Sequence, residues 1–159
     1  MDLYVFRHGI AENRQAGRPD AERQLTDEGK KKAADVVKAA RAAGVEPSLI
    51  LSSPLIRALQ TARIAADGFG YKGDIVQTAA LEPEGTPEGI WKELRNHHGE
   101  ASVLIAGHEP LLSHAIAYFL GSPDMRIDLK KAAMVRIGFD SFRGAPHGVL
   151  CWMITPKLV

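Results

Sequence analysis

A three-layer α/β/α sandwich, built on a mostly parallel central sheet with an antiparallel edge, is the fold this sequence predicts. Three observations point to it. The apolar runs Leu3–Phe6, Leu49–Leu51, Val103–Ala106 and Val149–Ile154 are continuous rather than alternating, as expected of strands covered by helices on both faces. The segments between them carry helical periodicity with start and stop signals. Ala132–Phe139 and Gly148–Ile154 flank a polar loop, which is the pattern of a hairpin. Strands that alternate with helices place parallel neighbours in one sheet.

Leu3–Phe6 is the first strand. The loop from Glu12 to Leu25 follows, polar and rich in arginine; a structureless stretch of that length in a compact domain is usually functional or mobile. Over 26–43, Ala33, Val36, Val37, Ala40 and Ala43 form one apolar stripe opposed by Lys30, Lys31, Lys38 and Arg41. Thr26 is placed to cap this helix, Asp27 and Glu28 suit its first turn, and Gly44 ends it. After the strand Leu49–Leu51, Ser53-Pro54 reads as a cap followed by proline at the first helical position. That helix runs to about Asp67, before Gly68-Phe69-Gly70. Thr86-Pro87 opens a third helix ending near Gly99. After the strand Val103–Ala106, His108-Glu109-Pro110 opens a fourth helix that reaches Leu120 before Gly121. Ala132–Phe139 and Gly148–Ile154 then pair across the loop Ser141–Gly148.

Composition sets the class. The 159 residues are 45% hydrophobic and 25% charged, ordinary for a globular protein, and the length predicts a single domain over 1–159. A domain of this size buries roughly 70% of its unfolded surface, so its core needs neither disulfide nor structural metal. With 20 Lys and Arg against 19 Asp and Glu, the formal charge is +1. That lacks the electrostatic footprint of a general nucleic-acid binder, although a local site for one phosphate is compatible with it. Cys151 is the single cysteine, and its neighbours Val149, Leu150, Trp152 and Met153 predict a small core residue. No window approaches the ~20 apolar residues of a membrane span, and the apolar run at Leu3–Phe6 is too short for a signal peptide. The expectation is a cytoplasmic protein with no membrane or nucleic-acid partner.

The chemistry gathers where strands end. Arg7-His8-Gly9 follows the first strand, Ser52-Ser53-Pro54 with Arg57 follows the second, and Gly107-His108-Glu109 follows Val103–Ala106. Ligands of open parallel sheets sit at the carboxyl ends of the strands. Three strand exits therefore bring two histidines and two arginines to one rim, beside helix N-termini that favour anions. A tetrahedral anion, phosphate first, fits such a site. Taken singly, each residue has a plain structural reading: a hydrogen-bonded histidine, a surface arginine, a turn glycine. Their convergence favours the functional one. His97 and His98 read as a solvated helix end, His147 as an exposed turn residue and His114 as structural. His108 and His114 are six apart with Pro110 between them, so they do not make the HExxH zinc arrangement, and no metal or other cofactor is expected.

The same residues carry a resemblance. Arg7-His8-Gly9-Ile10-Ala11 resembles the RHGxA signature of the histidine phosphatase superfamily, and specifically of its small SixA-type phosphohistidine phosphatases. Arg23-Gln24-Leu25-Thr26-Asp27-Glu28-Gly29 is similar to the family's LTxxG segment, Ser52 to Ala62 to its SSPxxRAxQTA segment, and Gly107-His108-Glu109-Pro110 to its GHxP segment. The blocks stand in family order from residue 3 to about 120.

The resemblance implies a metal-independent phosphatase in which His8 attacks phosphorus and becomes phosphohistidine. Arg7 and Arg57 would clamp the phosphoryl oxygens bidentately. His108 would donate to an oxygen whose charge grows during transfer. Gly9 and Glu82 are the further expected substrate contacts. Glu82, Glu84 and Glu109 all lie near the place where many superfamily members hold a general acid, but none sits in an alignable acid motif. Phosphohistidine leaves as imidazole and needs that acid less than an alkoxide does, and the short chain leaves no room for a large capping insertion. The expected substrate is thus a phosphohistidine-containing signalling protein. The alternatives are a small phosphorylated metabolite, turned over by a phosphatase or a mutase, and a non-catalytic phosphate-binding module. Ile10 stands where mutase-type members carry an acid, and the presence of both His8 and His108 argues for catalysis.

Overall fold

A computed structural model describes residues 1–159. Its centre is a six-stranded sheet of β1 (Asp2–Arg7), β2 (Leu49–Ser52), β3 (Ile75–Gln77), β4 (Ser102–Gly107), β5 (Met134–Gly138) and β6 (Val149–Ile154). The spatial order is β3-β2-β4-β1-β5-β6. The first four strands are mutually parallel, while β5 runs antiparallel to both β1 and β6. The helices are α1 (Asp27–Ala42), α2 (Ile56–Phe69), α3 (Pro87–Asn96) and α4 (Leu111–Phe119).

The continuous apolar runs do what their pattern requires in the sheet centre. Alternate side chains of each strand enter opposite cores. Leu3 and Val5 of β1, with Val103 and Ile105 of β4, pack with Trp91 and Leu94 of α3 and Leu112 and Ile116 of α4. Tyr4 and Phe6, with Leu104 and Ala106, pack with Val36 and Val37 of α1 and Ala62 and Ala65 of α2. The second layer is thin because α2 is lined with alanine: Ala58, Ala62 and Ala65 are fully buried. Deleting Leu104, which is 0% exposed, to alanine belongs to the class of core truncations that cost about 2–5 kcal/mol.

Helix ends follow their signals in part. Thr26 caps α1 by accepting from the Gly29 N–H at 3.0 Å, and Thr86 caps α3 by accepting from Gly89 N–H at 3.0 Å. The second helix differs from expectation. It starts at Ile56, with Leu55 as an extended N-cap that makes no side-chain cap bond. The reason is that the Ser53 N–H bonds to the Ala106 carbonyl at 3.0 Å, which prolongs the β2–β4 ladder and keeps Ser53-Pro54 out of the helix. The third helix stops at Asn96 rather than near Gly99, and the fourth begins at Leu111.

Other departures lie at the edges. The strand β3 has only three residues, of which Ile75 is partly buried and Val76 and Gln77 are exposed, too short and too wet to leave a periodic signal. The run Val149–Ile154 is a strand but not an interior one. It forms the sheet's outer edge, with Val149 67%, Leu150 50% and Met153 42% exposed. Cys151, expected in the core, is exposed: a register shift between Arg136 and Ile137 leaves it as the unpaired residue of a bulge. His114 is also exposed rather than packed. Within the loop of residues 12–25, Asp20–Glu22 form one 3₁₀ turn and Ala11 bridges Leu25.

One backbone contact holds the end of β1 against α1. A Cβ at Gly29 would stand 2.1 Å from the Ile10 carbonyl oxygen, and a Cβ at Gly9 would stand 2.8 Å from the Gly29 carbonyl oxygen. The Thr26 N–H donates to the Ile10 carbonyl at 2.9 Å in the same clasp. Overpacking of this kind typically costs about 1–3 kcal/mol. Gly29→Ala is therefore expected to lower the thermal midpoint and to displace His8, measurable as lost activity. Gly44→Ala, where the added methyl group meets open space but φ is +83°, should lower stability alone. Equal activity losses in the two variants would show that the clasp does not position His8.

Candidate active site

The sheet order sets the site. Because β4 lies between β2 and β1 in parallel register, with Ser52 beside Ala106 and Arg7 beside Gly107, the three strands end side by side. Arg7, His8, Arg57 and His108 line one pocket of about 250 Å³ at that rim, together with Arg14, Asp20, Arg23, Glu84, Glu109 and Lys131. His8, Arg57 and His108 are 7%, 3% and 2% exposed. The two imidazoles lie 5.1 Å apart, ring centre to ring centre, tilted by 55°.

His8 Nδ1 is 2.7 Å from the Gly9 carbonyl oxygen. A carbonyl only accepts, so Nδ1 carries the proton and the lone pair resides on Nε2. Burial first, and then the Arg57, Arg7 and Lys131 charges, push the His8 pKa down to about 4, against the opposing Gly9 bond. Burial, His8 and Arg57 push His108 down to about 3. The guanidinium charges contribute, but desolvation ranks above them. His108 is fixed by its Nε2 contact with Ser53 Oγ at 2.8 Å, and its Nδ1 is buried with no partner. Arg7 Nε and Arg57 Nε are likewise buried without partners. Three nitrogens at one rim thus lack hydrogen-bond partners, a costly state for buried polar groups, and an anion would supply the acceptors that the two arginine N–H groups need.

The arginines are held differently. Arg7 donates through Nη1 to the Leu129 carbonyl at 2.6 Å. Arg57 donates through Nη1 to the Asp20 carbonyl at 2.8 Å and through Nη2 to Asp20 Oδ2 at 2.9 Å. The Asp20 carboxylate also accepts from Arg23 Nε at 2.8 Å. Burial opposes the shift, but the Arg57 and Arg23 charges and hydrogen bonds hold the Asp20 carboxyl below its usual range. A carboxylate thus sits on the guanidinium fork that matches phosphate.

The remaining expectations divide. Gly9 is not among the pocket's lining residues: its N–H donates to Thr61 Oγ1 at 3.2 Å and its carbonyl is taken by His8. Its use is the clasp with Gly29. Glu82 caps the 3₁₀ turn Ala79–Leu81 and lies outside the lining, whereas Glu84 and Glu109 line the pocket. Glu109 Oε1 is engaged by the Ser113 N–H at 2.8 Å. Arg14, Asp20, Arg23, Ser53 and Lys131 went unpredicted as site residues. Ser53 reads as a helix cap, Asp20 sits in a loop with no local motif, and Lys131 precedes a strand with no signal. The repeated serine before Pro54 is the one mark that could have flagged Ser53. No group of three or more His, Cys, Asp or Glu side chains converges as metal ligands, and no helix is long and apolar enough to cross a membrane.

Residues 3–82 match the family model of the histidine phosphatase superfamily (branch 1). The chain belongs to that superfamily. An uncharacterized protein of Picosynechococcus sp. is 34% identical over 151 residues, covering 92% of this chain and 90% of its own. The protein histidine phosphatase SixA, solved with tungstate, aligns over 99% of this chain and 98% of its own with a TM-score of 0.84 and 25% identity. A phosphoserine phosphatase of Entamoeba histolytica, solved with phosphoserine, shares the fold at a TM-score of 0.72 and 16% identity over 99% of this chain and 98% of that one. The chain is a phosphatase of SixA-like architecture.

The depressed imidazoles link the site to folding. Both pKa values fall from 6.5, to about 4 and about 3, so between those values and 6.5 the unfolded chain binds more protons than the folded one. Their contribution to stability is complete above pH 6.5 and is lost as the pH falls through 4 and then 3. The thermal midpoint should therefore drop more steeply over this window in the wild type than in His108→Asn. Identical slopes would mean that His108 titrates normally in the fold.

Proposed function

We propose that this phosphatase removes the phosphoryl group from phosphohistidine in a signalling protein, through a phosphoenzyme intermediate on His8, with residues 1–159 acting as one unit. The observation that carries the reading is the set of unpartnered nitrogens on Arg7, Arg57 and His108 around a neutral His8 whose Nε2 lone pair is free. His8 Nε2 attacks phosphorus, the phosphorus–nitrogen bond to the substrate imidazole breaks, and the imidazole leaves carrying the electron pair. Water then attacks the phosphorus on His8, releasing inorganic phosphate and restoring the imidazole. Arg57 and Arg7 bind the non-bridging oxygens, Arg57 exchanging Asp20 for the phosphoryl group. His108 stabilises the oxygen charge, steadied by Ser53.

The substrate class rests on the leaving group. Glu82 lies outside the pocket, Glu84 is exposed, one oxygen of Glu109 is taken by the Ser113 N–H, and Asp20 is held as a carboxylate by Arg57 and Arg23, an arrangement that supports a leaving group needing no general acid. General acid catalysis is worth about 10²–10⁴-fold on substrates that release an alkoxide, whereas protonated phosphohistidine releases neutral imidazole with little help. Donors from Arg7, Arg57 and His108 around the site of the phosphoryl group support metal-independent turnover, and the exposed free thiol of Cys151 suits a reducing, cytoplasmic compartment.

The deciding experiment compares turnover of a phosphorylated histidine phosphotransfer domain with that of several sugar phosphates. The phosphodomain should be hydrolysed far faster, with chelator present, and Glu82→Gln should leave that rate unchanged. Strong turnover of one sugar phosphate dependent on Glu82, Glu84 or Glu109 would assign the protein to metabolite chemistry instead. A rapid alkaline quench should trap phosphate on His8, and His8→Ala should abolish label and turnover together. Arg57→Lys keeps the charge but loses the bidentate fork. A loss of at least about tenfold, or ~1.4 kcal/mol of transition-state stabilisation, is expected in kcat/KM; a rate near that of the wild type would place Arg57 outside the reaction.

A further inference from the structure

Beside the reaction pocket runs a second depression of about 460 Å³ whose charged lining is entirely basic: Arg7, Lys32, Lys130, Lys131 and Lys157. It is assembled from the end of β1, the middle of α1, the segment before β5 and the turn after β6, so four distant parts of the chain supply one sign of charge. The chain as a whole is only +1, which makes this a segregated field rather than a general surplus. Lys32 and Lys130 each reach one carboxylate, Glu28 and Asp128, and those partners are themselves 64% and 76% exposed. Arg7, Lys131 and Lys157 make no ion pair within 4.0 Å. Arg7 and Lys131 also line the reaction pocket, so the groove opens directly onto the site of chemistry.

We propose that this groove docks the acidic face of the phosphorylated partner protein, receiving carboxylates that surround its phosphohistidine. The inference rests on the phosphohistidine reading above and names where the rest of the partner lies. Lysine supports it over a second phosphate subsite. Ammonium groups on flexible stems act as adaptable point charges, while a compact phosphate site favours planar guanidinium forks and buried donors. The pocket around His8 and Arg57 has those features; the groove offers mobile lysines over an open trough. A field of one sign at the mouth of a cleft raises encounter rates by about 10–10³-fold and loses that effect as salt rises.

The test uses the double variant Lys130→Glu/Lys157→Glu, at two groove positions outside the reaction pocket, with a phosphoramidate-phosphorylated histidine phosphotransfer domain of acidic surface and with p-nitrophenyl phosphate. At low ionic strength the KM for the phosphodomain should rise about tenfold with kcat retained, while the aryl phosphate kinetics stay at wild-type values. Raising the salt should bring wild type and variant together. The neutral pair Lys130→Gln/Lys157→Gln should show the same direction with a smaller rise, and it serves if the acidic pair does not fold. An unchanged KM for the phosphodomain at low salt overturns the groove and leaves the phosphohistidine reading intact. Equal losses on both substrates overturn it too, since they mark damage to the reaction pocket. A wild type that hydrolyses the aryl phosphate but not the phosphodomain overturns the phosphohistidine reading, and the docking groove falls with it.

Discussion

The site depends on three parallel strands ending at the same height. With β4 seated between β2 and β1, a single crossover order brings Ser53, His108 and His8 to adjacent positions, and the helix after β2 needs less than one turn to deliver Arg57. No residue of the four-member centre comes from a free loop. Each is the continuation of an element whose register is set by hydrogen bonds and by side chains packed on both faces. This rigidity suits a reaction in which attacking nitrogen and phosphorus must be held within a few tenths of an ångström.

Rigidity has an electrostatic counterpart. The imidazoles are kept neutral chiefly by removal from water, and the arginines add to that effect while remaining charged. The proposed nucleophile and its anion-binding groups thus coexist near neutral pH without neutralising each other, because the buried imidazole stays unprotonated there while the guanidiniums keep their charge. Asp20 resolves the remaining problem. A guanidinium that is 3% exposed needs an acceptor when no phosphate is bound, and the loop carboxylate supplies it. The same bond gives the 12–25 loop an anchor, so that its 3₁₀ turn is held against the pocket in the resting state.

Much of this was legible in the residues. The strands at the sheet centre, both caps at threonine, and the convergence of Arg7, His8, Arg57 and His108 all follow from local pattern and from where ligands sit on parallel sheets. What escaped has a common cause: it depends on contacts between distant segments. Ser53 was drawn from a helix cap into the strand ladder by Ala106. The engagement of Arg57 by Asp20 spans 37 positions. The apolar run at 149–154 carries the same letters as an interior strand, and only its place beyond β5 makes it an edge. That Glu84 and Glu109 line the pocket while Glu82 does not likewise depends on the path of the folded chain, which spacing along the sequence does not encode. Gly9 belongs with these: expected as a substrate contact, it instead makes a close backbone contact with Gly29 of α1, which no local pattern announces.

The bulge at Cys151 bears on how this protein behaves in crowded solution. An outer strand bearing exposed valine, leucine and methionine is a template on which another chain could add, since half of its peptide groups point outward without partners. Inserting one residue breaks the phase of those groups midway, so a neighbour that matched the first half would clash or miss on the second. The strand then ends within a few residues at Thr155-Pro156, where proline removes a donor and a turn bends the chain away. The sheet is thereby finite by construction: its margin stays apolar enough to cover the core beneath it, yet presents no continuous ladder from which fibrils or runaway oligomers could grow.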